Sequence, residues 1–177
     1  DIVGTDAKLN RAARYELGGG NFYMSPGGTT KIVVSHDIYI DGNATFDQHL
    51  VIETGATLHI TGNCVLNNNF TCNGNIIVEG NVSMNGGSFN STSAGNSIIY
   101  VKGTGATSLG TAGTTVNNVV IVAPNCSSLS INGGGNTIVG CIVGNTISSP
   151  GSGTIKVTYP GERYPWERDS NGVRLVE

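Results

Sequence analysis

The 177-residue chain has a formal net charge of -3, and only 12% of its residues are charged. That length suits one domain able to bury a core without metal or disulfide staples. Nucleic acid is excluded as a partner, because no basic stripe is present to neutralise phosphates. The 27 glycines, with Asn, Thr and Ser, make up nearly half the chain, a composition of short strands and tight turns with few helix formers. No stretch approaches the roughly 20 apolar residues of a membrane span. The sequence begins at Asp1, which fits an exported protein whose leader or anchor has been removed.

Taken in chain order, residues 1–30 read as an N-terminal helix and cap. Between Thr5 and Leu17, the residues Ala7, Leu9, Ala12, Ala13 and Leu17 fall near a helical period. Thr5 or Asp6 is available as N-cap and Gly18 to Gly20 as a stop. Such a helix is expected to cover the open end of the strand stack built by the next segment.

Residues 31–159 read as a parallel β-solenoid. From Ile38 the inward-capable residues come in i, i+2 pairs: Ile38/Ile40, Ala44/Phe46, Leu50/Ile52, Leu58/Ile60, Cys64/Leu66, Phe70/Cys72, Ile76/Val78 and Val82/Met84. Each pair is the inward face of a very short strand, and the spacing between pairs leaves room only for a tight turn. Three strands then close a triangular coil of roughly 18 to 20 residues, as in hexapeptide β-helices. Coils closed this way stack Ile38 on Leu58 on Ile76, and Phe46 on Leu66 on Met84. The turns between pairs are rich in Gly and Asn, which tolerate positive φ. A β-sandwich would need longer, less evenly spaced strands. The phase slips near Ser91 and again near Thr107, where loops are expected to project. About six coils at roughly 4.8 Å each make a rod of about 30 Å. Residues 160–177 form a tail holding the single Trp and many of the remaining charges.

Little in the chain carries chemistry. Cys64, Cys72, Cys126 and Cys141 lack a CxxC pair or flanking histidines, which argues against zinc. Cys64 and Cys72 read as small buried hydrophobes, and Cys126 with Cys141 is the candidate disulfide in an exported protein. Asp37, Asp41, Asp47 and Glu53 gather near the first coil but belong to different faces or columns, so they read as a solvated rim rather than as an acid-base pair or a calcium site. No catalytic residue, metal or cofactor is expected, and the chain reads as a non-enzyme. Outward positions such as Tyr39, Thr45, Val51 and His59 are mixed, unlike the regular Thr rows that ice recognition would want.

The stretch 117–159 (NNVVIVAPNCSSLSINGGGNTIVGCIVGNTISSPGSGTIKVTY), with IYIDGNATF and IIVEGNVSMNGG upstream, resembles the β-helical ectodomains of type IV pilus-associated, PilX-like proteins. More loosely it resembles the bactofilins, which polymerise end to end through a β-helix. The resemblance implies a β-helical fold and offers no catalytic residues to carry over.

The expected role is therefore a structural or adhesive subunit of an extracellular or cell-surface appendage or filament. It would assemble with itself or with other appendage subunits through the solenoid ends and the tail, where Tyr164, Trp166, Val173 and Leu175 are the candidate contacts. A glycan- or ice-binding solenoid and a phage tail-spike or fibre domain are the alternatives.

Overall fold

In the computed structural model the chain is all β, and the parallel strands stack as a solenoid of about six turns. The structure describes residues 2–3, 6–28, 30–92, 97–110, 115–131, 137–149 and 156–158. The early strands are β1 (Ile2–Val3), β2 (Asp6–Leu9), β3 (Ala13–Met24), β4 (Lys31–Val34), β5 (Ile38–Phe46) and β6 (His49–Ile52). The middle of the rod holds β7 (Thr57–Ile60), β8 (Cys64–Leu66), β9 (Phe70–Cys72), β10 (Asn75–Val78), β11 (Val82–Met84) and β12 (Phe89–Ser91). Beyond them lie β13 (Ser97–Val101), β14 (Ala106–Leu109), β15 (Thr115–Ala123), β16 (Ser128–Ile131), β17 (Thr137–Gly144), β18 (Ile147–Ser148) and β19 (Lys156–Thr158). Among the described residues no helix is long and apolar enough to cross a membrane.

Three faces enclose the core, designated by Ile38, Phe46 and Leu50. On the Ile38 face the register runs Ile38, Leu58, Ile76, Ile99, Ile121, Ile142. On the Phe46 face Phe46 pairs with Leu66 and Leu66 with Met84, and on the Leu50 face Ile32, Leu50, Phe70 and Phe89 follow one another. The expected columns are thus the observed ones. All eight pairs read from the sequence are buried, none more than 2% exposed. Like side chains stack directly, as in Phe70 on Phe89 with ring centroids 5.4 Å apart.

The corners are built by a second, polar ladder. At the corner between the Ile38 and Phe46 faces, the Asn63 N–H donates to Asn43 Oδ1 at 2.8 Å. Asn81 N–H donates to Asn63 Oδ1 at 2.9 Å, and Gly105 N–H to Asn81 Oδ1 at 2.9 Å. Beside them Gly62 N–H donates to Gly42 O at 2.8 Å and Gly80 N–H to Gly62 O at 3.0 Å. Here the reason for glycine differs from the expected one. Gly42 has a positive φ of 145°, but Gly62 and Gly80 do not. A Cβ on Gly62 would fall 2.5 Å from Asn43 Oδ1, and one on Gly80 2.5 Å from Asn63 Oδ1. Close approach of one coil to the next, rather than backbone handedness, excludes a side chain there.

Two expectations are corrected. Residues 6–24 do not form a capping helix: β2 pairs parallel with β4, Ala7 opposite Ile32, and β3 pairs with β5, Tyr15 opposite Ile40 and Phe22 opposite Ala44. The apolar set Ala13, Tyr15 and Leu17 has period two, with Arg14 and Glu16 outward, and ladder pairing plus aromatic packing outweighs local helix preference. Tyr15 and Phe22 pack at 4.9 Å, and Phe22 lies 6.0 Å from Phe46. Stacked rungs therefore begin well before residue 31. Second, Ser91 and Thr107 themselves lie on strands, while residues 93–96 and 111–114, which the two expected loops would also include, lie outside the described residues. Both are 1% exposed and face inward on β12 and β14.

Candidate functional site

The tail residues Tyr164, Trp166, Val173 and Leu175 lie outside the described residues. Cys126 and Cys141 are thiols and do not form a disulfide. Cys126 is buried just past the end of β15 and donates to Thr107 Oγ1 at 3.3 Å, whereas Cys141 pairs with Val120 at the opposite end of the Ile38 face. The width of that face keeps them apart. Cys64 and Cys72 sit fully in the core, where burial pushes both thiols up to about 12, so neither is a nucleophile at neutral pH.

The early carboxylates serve corners. Asp37 Oδ1 accepts the Thr57 N–H at 2.9 Å, and Asp41 Oδ1 accepts from Thr61 Oγ1 at 3.0 Å. Asp47 accepts from Tyr23 Oη and, at 2.7 Å, from Asn67 Nδ2. The Tyr23 hydroxyl, then Asn67, holds the Asp47 carboxyl below its ordinary range. Glu53 is exposed. Among the described residues no three His, Cys, Asp or Glu side chains cluster as metal ligands would.

Two features the sequence did not single out are better placed to bind. The first is the N-terminal end of the rod. Among the described residues, the one register recorded for β3 is with β5, which leaves the outer edge of β3 without a strand on the Ile38 and Phe46 faces. Tyr15, Leu17, Phe22 and Met24 pack only partly buried against the core, and Tyr23 is 60% exposed. β1 pairs antiparallel with β2 on the remaining face.

The second is the outside of the Ile38 face. Its N-terminal half carries a polar ladder: the Arg14 guanidinium lies 4.0 Å over the Tyr39 ring, and Tyr39 meets His59 edge-on at 4.8 Å. His59 Nε2 and Lys102 Nζ then contact Glu79 Oε1 at 2.9 and 3.3 Å. These two, His59 first, hold the Glu79 carboxyl below its ordinary range. The C-terminal half turns apolar, with a groove lined by Thr57, Asn75, Ile77, Ile98, Tyr100 and Val122. In the sequence its signal was the step from Ile77 to Tyr100 to Val122, hidden by the longer coils there. Comparison with protein-family models, with curated proteins and with solved structures finds no match.

Proposed function

We propose that this chain is a non-enzymatic structural or adhesive subunit of a surface appendage or filament, in which solenoids associate through their ends with the C-terminal tail as a further contact. The observation that carries the reading is the outer edge of β3. A rung with no second strand on its outer edge among the described residues, and with Tyr15, Leu17, Phe22 and Met24 only partly buried, offers another chain both a ladder to continue and apolar area to bury. The closely satisfied, charge-poor corners give the rod's interior coils little chemistry of their own, which favours a scaffold over a catalyst.

Sedimentation equilibrium of the wild type and of Leu17→Lys tests the reading. Leu17 is only partly buried at the end of the stack, so a lysine there reaches water while placing charge on the edge. Association is expected to weaken at least about tenfold, equivalent to about 1.4 kcal/mol, with an unchanged melting temperature. Equal association of the two proteins would overturn the end contact.

A further inference from the structure

We infer that the N-terminal end of the rod fits the C-terminal rung of a second copy, and that β1 is a detachable guard over that contact. The inference rests on the end association proposed above and names its partner and its control.

The order of the strands carries it. Each coil runs from the Leu50 face to the Ile38 face to the Phe46 face, as β4 is followed by the two halves of β5. At the N-terminal end the first coil is β2 on the Leu50 face, then the two halves of β3 on the Ile38 and Phe46 faces. At the other end the last described strands are the second half of β17 on the Ile38 face, β18 on the Phe46 face and β19 on the Leu50 face. The next strand of such a helix belongs on the Ile38 face. A second copy turned by one face supplies it: its β2 follows β17, the first half of its β3 follows β18, and the second half follows β19. All these strands run in one direction, so the parallel ladder passes from copy to copy without a break.

Burial at the two ends agrees. Among the described residues, the apolar side chains packed only partly against the core belong to the end rungs, with Leu9, Tyr15, Phe22 and Met24 at one end and Ile142 at the other. Ile147, inward by its register with the buried Leu129, is 46% exposed. Stacking one end on the other covers both sets, which is the favourable term for the contact.

β1 stands in the way. It pairs antiparallel with β2, Val3 opposite Asp6, on the edge away from β4. It therefore projects one strand spacing, about 4.8 Å, past β2. An approaching end meets β1 first and is held about 10 Å from β2 and β3, twice the distance at which strands bond. Yet β1 is two residues long, and among the described residues its one recorded pairing is with β2, so it opens at small cost. The apparent affinity of the ends is then reduced by the fraction from which β1 has lifted.

Sedimentation velocity of full-chain variants tests the guard and the partner separately. Val3→Pro, which lacks the N–H a ladder needs, should associate at least about tenfold more tightly than the wild type. Val3→Cys combined with Asp6→Cys places thiols opposite one another in an antiparallel pair, within disulfide reach. Oxidised, that protein should associate at least about tenfold more weakly than the wild type and recover on reduction, with the wild type under the same redox conditions as the control for its own thiols. The partner is read from Ile147→Asp and Leu17→Lys. Each alone should associate at least about tenfold more weakly than the wild type, while their equimolar mixture forms one-to-one dimers at wild-type affinity, because each supplies the end the other lacks. Wild-type affinity in either folded β1 variant would overturn the guard, and undiminished self-association of Ile147→Asp would overturn the head-to-tail partner; both results leave end association standing. Absence of association in every protein, Val3→Pro included, would overturn the end contact itself and this inference with it.

Discussion

At the residue scale, the corner ladder explains why Gly and Asn recur as a dipeptide. One coil's Asn carboxamide occupies the space that a side chain on the next coil's glycine would fill, and it accepts the N–H that follows that glycine. The recurring Gly-Asn turns were legible, but their cause was not, because steric exclusion between coils leaves no mark distinguishable from a positive φ. Gly80→Ala should therefore destabilise even though its φ is ordinary. The expected loss is about 1–3 kcal/mol, read as the shift in urea midpoint at constant slope. A second prediction concerns Glu79. Its folded carboxyl is held below its ordinary value of 4.5 by His59 and Lys102, so its contribution to stability is present above pH 4.5 and is lost as the pH falls from there through the folded value. Because the side chain is 39% exposed, solvent screening keeps that contribution small. The melting temperature of Glu79→Gln should lie below the wild type's at pH 6 and converge with it toward pH 3.

The strands themselves divide into those that alternation revealed and those it hid. From Ile38 to Met84 every inward position is apolar or Cys, so alternation located each strand. β12 and β14 escaped because Ser91 and Thr107 are polar yet face inward. Thr107 is tolerated because its hydroxyl accepts from the Val82 N–H at 3.4 Å and from Cys126 Sγ at 3.3 Å. Replacing Thr107 with the near-isosteric valine removes that acceptor and should cost about 1 kcal/mol in thermal unfolding, whereas a residue in a projecting loop would show almost no change. β3 was misread for the opposite reason. Ala7, Leu9, Ala12, Ala13 and Leu17 satisfied a helical period by chance, and the ladder to β5 selects the extended form in which Ala13, Tyr15 and Leu17 share a face.

For the whole molecule, repetition makes the interior legible and the ends obscure. Each coil contacts only its neighbours, so a repeated inward pair is enough to specify the stack. What terminates the stack is not repeated, and the sequence offered a helix where the structure has an open rung. The candidate site was correspondingly least legible. The expected contacts fell on the tail, while the described residues place the free edge on β3 and the apolar groove beside Tyr100. The proposed role turns on that edge being used. Negative-stain electron microscopy of the full chain over a hundredfold range of concentration is the most direct measurement. End-to-end strings one solenoid wide that lengthen with concentration are the predicted result, and isolated single rods at every concentration would contradict it.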